Sequence, residues 1–542
     1  MKKIFNKTTQ LIFSQQGGMF SSALILALMI VVSKIFGFIR YRTLAGYFSS
    51  GELDIFFASF RIPDLVFEII ITGAFTSAFI PIFIKYQKNK KELAENISSI
   101  FNLIAFFLFI FIVIIYFLMP FLLPMITPGF SAEKNNQIVF FSQMLLIGQL
   151  PFLVLGNFLS GLAQAKKVFF ITSLAPIIYN LLIILSTVVF VGQFGLYAPV
   201  IGVVIGAFFF LIIQLPIYLQ FDYFYLPLIK ISSGVKEFIR VIVPRVLTVI
   251  FAQIDATIDL TLSSLLGAGS YTIFYLAQRL QLLPVSVIGI AFGQASLPFL
   301  SELFEEKKLA ELKKIIADSI LNLFFFTFPI MGMFVFARTP IVRLFYGGQK
   351  FDWEATVNTA MALSYFSISL PFHSLYYFIT RCFYALLDSK TPFIVSIISI
   401  IVNTVLSVIF TIYLKLPVWA LAISFSVSVV LNVLILCVIL SIRLHRLDEK
   451  FIFIETFKIS LSTFVSSVVS YYLMHLFDGL IFDTSRTINV FFLLSTIGVI
   501  YFAMYFFLAW LTNVKEIYLI GRILLRIKGF QKSLTEIYSS YE

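Results

Sequence analysis

The chain has 542 residues, of which 60% are hydrophobic and 12% charged, with a mean hydropathy of +1.01 and a formal net charge of +12. A soluble domain is about half apolar and a quarter charged, so this composition excludes a soluble enzyme or a soluble binding module. Two cysteines and three scattered histidines leave no disulfide framework and no metal-type spacing.

In chain order, residues 1–18 come first, with Ile4, Phe5, Leu11 and Ile12 set among Lys2, Lys3 and Lys7. This pattern suits a segment lying along the cytoplasmic interface. Fourteen apolar runs follow that reach the roughly 20 residues needed to cross a bilayer. They lie at 20–48, 52–84, 95–125, 136–165, 168–191, 196–220, 235–266, 270–303, 309–338, 353–386, 391–414, 417–443, 454–478 and 487–512, and are numbered here spans 1 to 14. The first has no small-residue cleavage site, so it reads as a spanning helix of the mature protein. The expected fold is an all-α polytopic membrane protein: an N-lobe over 19–220, a C-lobe over 235–443, spans 13 and 14 over 454–512, and a tail from 513 to 542. No loop is long enough for a soluble domain.

Of the 39 Lys and Arg residues, 24 fall on the side of the N-terminus, 6 on the opposite side and 9 within the spans. That asymmetry puts both termini in the cytoplasm and explains the net charge without nucleic acid. A faint internal repeat supports two lobes. Ala74 to Pro81 resembles Ala291 to Pro298 at an offset of 217, and Pro176 and Pro392 open similar spans at an offset of 216. Six spans per repeat make the halves parallel, as in transporters that bind cargo between repeats.

The nine intramembrane cations are Lys34, Arg40, Arg42, Arg61, Arg240, Arg245, Arg279, Arg381 and Lys458. Each costs at least roughly 2.5–3.5 kcal/mol near the bilayer centre, which points to an anionic cargo. In span 2, Asp54, Arg61 and Glu68 recur every seven residues and form one stripe, continued by Thr72, with Asp64 near Arg61. The competing reading of that stripe is a structural ion-pair ladder. In span 1, Gly37 permits a bend that brings Lys34 and Arg40 to one side. Asp255 and Asp259 share a face of span 7, where two carboxylates need a cation or a proton. No phosphate loop, nucleophile elbow or zinc-protease motif is present, and His373 reads as structural.

Several stretches resemble the MurJ/MviN family of lipid II flippases. They are Ser33 to Arg40, Asp54 to Pro63, Gly73 to Pro81, Thr127-Pro128-Gly129-Phe130, Tyr275 to Arg279, Leu297-Pro298, Phe345-Tyr346-Gly347, and Arg381 to Ala385 with Asp388 to Pro392. The resemblance implies a monomeric flippase of the bacterial inner membrane. It would carry an undecaprenyl-diphosphate-linked peptidoglycan precursor outward by alternating access, among membrane lipids. It also implies that Lys34, Arg40, Arg61 and Arg279 bind the cargo in a central cavity, with Asp54, Asp64, Glu68 and Asp255 as cavity or coupling candidates. Sodium at Asp259, Asp388 and Thr404 is implied by some members, although Tyr384 replaces an expected amide ligand. Phe67 and Thr72 stand where the family often has Arg and Glu. An exporter of drugs or lipid-linked oligosaccharide is the alternative; a polytopic glycosyltransferase would need acids that the loop around Asp352 and Glu354 barely supplies.

Overall fold

The computed structural model describes residues 19–71, 83, 85–86, 89–165, 168, 170–218, 225–484 and 486–518; for 19–28, 164–165 and several positions in 241–255 it describes the backbone alone. Helix occupies each of the fourteen predicted spans, span 2 being described as far as Ile71. Among the described residues, nine helices are both long and apolar enough to cross a membrane.

The chain divides into two compact units. The first comprises Met1–Thr272 and Phe345–Ala355. Its helices are α1 (Met19–Tyr47), α2 (Ser50–Ser59), α3 (Arg61–Glu68), α4 (Lys90–Ile126), α5 (Ala132–Gly148), α6 (Leu150–Ala165), α7 (Phe170–Phe194), α8 (Tyr197–Ile212), α9 (Leu215–Tyr218) and α10 (Ser233–Ser264). The second comprises Ile273–Leu344 and Thr356–Glu542. It is built from α11 (Ser270–Pro284), α12 (Ala291–Glu305), α13 (Leu309–Phe336), α14 (Arg338–Tyr346), α15 (Trp353–Ile368), α16 (Leu370–Ala385), α17 (Lys390–Val408), α18 (Trp419–Arg443), α19 (Glu449–Leu480) and α20 (Thr487–Leu511), except that the start of α11 through Thr272, the end of α14 from Phe345 and the start of α15 through Ala355 belong to the first unit.

The repeat is visible inside each unit. In the first, α7 packs on α8, α2 on α5 and α4 on α5; in the second, α17 packs on α18, α12 on α16 and α13 on α16. These pairs join corresponding spans six apart, although α12 and α16 are the second halves of spans 8 and 10 whereas α2 and α5 are the first halves of spans 2 and 4. Span 7 (α10) departs from the pattern, because it packs on α4 within the first unit.

Spans 2, 4 and 10 are each broken, at Phe60, Gln149 and Ser369. Each break lies within three residues of a proline (Pro63, Pro151, Pro371), which removes an amide donor and restricts the residue before it. Sequence periodicity reads straight through such positions, and the structure interrupts the helix there.

A helix proline also orphans the carbonyl four residues earlier, which is expensive in lipid unless a neighbour serves it. Three of these carbonyls are served by side chains from an adjacent helix. Ser142 Oγ donates to Ser59 O, opposite Pro63, at 2.8 Å. Gln143 Nε2 donates to Tyr116 O, opposite Pro120, at 3.1 Å. The Tyr505 hydroxyl donates to Phe325 O, opposite Pro329, at 2.8 Å. Adjacent residues of α5 therefore serve proline sites in two different helices.

Tyr505→Phe keeps the ring against Phe325 and removes the donor. It is expected to lower stability by about 1–3 kcal/mol, the cost of an unsatisfied buried carbonyl. The denaturant midpoint of the purified protein measures this, with Tyr472→Phe, whose ring is exposed, as the neutral control. An unshifted midpoint in Tyr505→Phe would show that the carbonyl has another partner.

Candidate functional site

Among the candidates whose side chains are described, Asp54 is the most deeply buried. Sequence reading put it on a stripe with Arg61, but the break at Phe60 separates their helices. Asp54 is fully buried and turns toward the start of α11. Its Oδ2 accepts the Gly269 amide at 2.6 Å, and Oδ1 accepts the Thr272 amide at 2.9 Å and hydroxyl at 2.8 Å. The carboxylate thus caps a helix N-terminus, where the aligned peptide dipoles favour a negative charge. The Thr272 hydroxyl also reaches Ser50 O at 2.9 Å, which ties the α1–α2 turn to the same point.

The Gly269 loop and two further loops meet at the same end of this unit. Gly269 has φ +87°, and a Cβ there would lie 2.5 Å from Ser50 Oγ, so glycine is required twice over. The Thr127-Pro128-Gly129-Phe130 loop sits against the end of α10, with the Gly129 amide donating to Ser264 Oγ at 3.3 Å. The Phe345 to Phe351 segment folds onto the end of α1, with the Phe351 amide donating to Ala45 O at 3.1 Å. Loops from both sequence halves are therefore latched together at one end, around Asp54. Two of the family-like motifs are explained by this closure rather than by cargo contact.

Arg61 is half-buried and reaches α10. Its guanidinium donates to Gln253 O at 2.7 Å, Gln253 Oε1 at 3.1 Å and Thr257 Oγ1 at 2.5 Å. These neutral acceptors fix the orientation of the planar fork. Arg40 lies over the Tyr41 ring, 4.6 Å from its centroid, a cation–π contact. Arg40 and Asp64 are within electrostatic reach of Tyr179, whose hydroxyl accepts from Gln149 Nε2 at 3.2 Å. Gln149 and Tyr179 were not singled out from sequence; Gln149 could have been found as the polar residue at the Pro151 break. Glu68 lies on α3 with Asp64, both half-buried.

Gly37, where a bend was expected, lies inside a continuous helix. Helix α1 runs through it without interruption, and six residues of helix leave Lys34 and Arg40 about 120° apart. Lys34 is exposed, beside the exposed Val31 and Ile35. In the second unit Arg279 is exposed and lies over the Tyr275 ring at 4.8 Å. Lys458 pairs with Glu455 at 2.8 Å, and Arg381 stacks over Tyr384. Asp259 is buried. Thr72 and the side chains of Arg245 and Asp255 lie outside the described residues.

Of the expected sodium ligands, Asp388 and Thr404, both in the second unit, lie far apart. Asp388 and Thr404 were to converge through a break at Lys390-Thr391-Pro392, but α17 begins at Lys390 and runs unbroken to Val408. Thr404 is then roughly 21 Å along the helix from its start, whereas ligands of one such hard cation lie within about 2.6 Å of it. Asp388 instead caps α17, accepting the Lys390 and Thr391 amides at 3.0 Å, and pairs with Arg443 Nη1 at 2.5 Å. No cluster of three His, Cys, Asp or Glu suited to a metal occurs among the described residues.

Burial pushes the Asp388 carboxyl up, but hydrogen bonds from the Thr391 hydroxyl and amide, with the Arg443 charge, outweigh it and hold it below the ordinary range. A carboxyl depressed in the fold contributes stability above its unfolded value of about 3.9, and that contribution is lost as pH falls through the folded value. The melting temperature is therefore expected to fall more steeply on acidification below about pH 4 in the wild type than in Asp388→Asn. Parallel profiles for the two proteins would remove Asp388 as the cause.

A family model described as "Lipid II flippase MurJ" matches residues 44–492. The chain belongs to this family. A probable lipid II flippase MurJ from Borreliella burgdorferi is 26% identical over 88% of this chain and 94% of its own length. A solved lipid II flippase MurJ in an inward closed conformation superposes with a TM-score of 0.72 at 23% identity, covering 90% of this chain and 99% of its own. An inward-facing MATE-family multidrug transporter of the MOP superfamily gives a TM-score of 0.64 at 15% identity, over 79% of this chain and 99% of its own. The MurJ family accounts for the apolar composition and the paired six-span pattern: this is a multi-pass membrane transporter, not an enzyme.

Proposed function

We propose that this chain translocates lipid II, the undecaprenyl-diphosphate-linked peptidoglycan precursor, from the inner to the outer leaflet by alternating access. The observation that carries the reading is the family match over residues 44–492. Both termini face the cytoplasm, which the 24-to-6 distribution of Lys and Arg supports. On that topology the Asp54 latch lies at the extracytoplasmic end and holds it shut, while cargo enters from the cytoplasmic side.

Lys34, Arg40, Arg61 and Arg279 are the proposed ligands of the diphosphate. Charge-assisted hydrogen bonds suit a compact dianion, and a guanidinium fork suits phosphate oxygens in particular. Arg61 is the best oriented of the four, since Gln253 and Thr257 hold its guanidinium fork in place.

The test is rescue of a bacterium depleted of its own flippase, combined with an external reagent that modifies lipid II headgroups only in the outer leaflet. Rescue together with headgroup modification is expected. Insertion without either result would overturn the reading, and export of a drug or oligosaccharide instead would move the chain to the alternative transporter class.

A further inference from the structure

Away from the cations, the first unit holds a partly open apolar pocket of about 420 Å³. Its walls include Phe101 of α4, Leu155 and Leu162 of α6, Leu211 of α8 and Leu215 of α9. Tyr225 adds to the lining from one end of residues 225–232, a non-helical strap that runs along α4. The strap bonds to α4 through Asn102 Nδ2 to Leu226 O and Leu228 O, the Lys230 amide to Ser99 Oγ, and Ser232 Oγ to Asn96 Oδ1.

The polar side chains in the wall are already used. Ser98 Oγ accepts the Leu226 amide at 3.0 Å, and the Tyr225 hydroxyl donates to Asn102 Oδ1 at 2.6 Å. A water in such a cavity would lack the two to four polar partners it needs, so the chemistry of the wall selects an apolar occupant. Benzene occupies an engineered apolar cavity of roughly 150 Å³; on that scale about 420 Å³ accommodates roughly 16 carbons. This matches one fatty acyl chain. A polyprenyl tail is several times too large.

Position and charge agree with that size. Ser98 and Phe101 lie roughly 12 and 17 Å along α4 from its lysine-bearing Lys90 end, so the apolar lining begins just past the charged end of that helix. A narrower cleft continues deeper along α4 to Leu108, between Val154 and Ile71. At the mouth, Lys230 pairs with Glu95 at 2.7 Å yet remains largely exposed. In the neighbouring segments 85–95 and 230–237, which Lys85–Glu237 and Lys230–Glu95 tie together, Lys85, Lys90, Lys91, Lys230 and Lys236 outnumber Glu92, Glu95 and Glu237 among the described residues, which favours an anionic headgroup.

We propose that this cavity binds one acyl chain of an anionic phospholipid, whose headgroup rests on the lysine rim. The site is separate from the proposed cargo ligands, and its test does not depend on flipping.

The full-length protein in nanodiscs is exposed to phosphatidylglycerol carrying a diazirine within one chain, and labelled residues are mapped by mass spectrometry. The same photoprobe on phosphatidylcholine and on a polyprenyl phosphate separates the sources. Phosphatidylglycerol is expected to label Phe101, Leu155 and Phe158. Leu155→Trp, which fills the cavity, should lower label on Phe101 and Phe158 at least about tenfold, while Phe109, Phe117 and Phe121 on the outer face of α4 label as before. Leu211→Phe provides the same test if Leu155→Trp melts early. Lys230→Gln should narrow the preference for phosphatidylglycerol over phosphatidylcholine. Label confined to Phe109, Phe117 and Phe121, or polyprenyl label in the cavity equal to that from phosphatidylglycerol, would overturn the proposal.

Discussion

Asp54→Ala is expected to open the latched end of the first unit and to abolish rescue of flippase-depleted cells. The substitution leaves the buried Gly269 and Thr272 amides without an acceptor. Each unpaired amide costs about 1–3 kcal/mol, so the closed arrangement loses about 2–6 kcal/mol. Even the lower figure shifts a closed-to-open equilibrium by more than about tenfold. The reporter is Ser264→Cys, buried beneath the Gly129 loop, in a background where Cys382 and Cys437 are replaced by alanine. A membrane-impermeant maleimide should label it from outside at least about tenfold faster when Asp54 is alanine. Asp54→Asn retains an acceptor oxygen without the charge and should fall between. Unchanged labelling with normal growth would mean that Asp54 does not hold this end closed.

The second large effect is expected at Arg61. Arg61→Gln removes charge-assisted hydrogen bonds worth about 1.5–3 kcal/mol each, so lipid II should bind about 10- to 150-fold more weakly. Arg61→Lys keeps the charge but loses the planar fork held by Gln253 and Thr257, and should lie between the two. Native mass spectrometry with added lipid II gives the affinities. Lys458→Gln is the control, because that cation is engaged by Glu455. Binding by Arg61→Gln within about threefold of wild type would remove Arg61 from the cargo site.

Much of the architecture follows from local properties of the chain. A run of about 20 apolar residues must become helix in lipid because no solvent is present to satisfy its backbone. Hydropathy alone therefore located helix in each predicted span, and the order of spans with their offset of about 216 residues carried the repeat. The intramembrane cations were legible for the same reason: a charge among apolar neighbours stands out without knowledge of its surroundings.

What each polar residue touches was decided by tertiary structure. Asp54 and Arg61 are seven residues apart, but a break near Pro63 sends one to a helix N-terminus and the other to Gln253 and Thr257, about 190 to 220 positions away. Asp388 looked like a cation ligand and instead caps α17 beside Arg443. The donors from Ser142, Gln143 and Tyr505 to proline-orphaned carbonyls had no sequence signal, since their pairing depends on which helices become neighbours. Spanning segments are set by the local balance between backbone and lipid; partners are set by packing across hundreds of residues, which one-dimensional spacing does not encode.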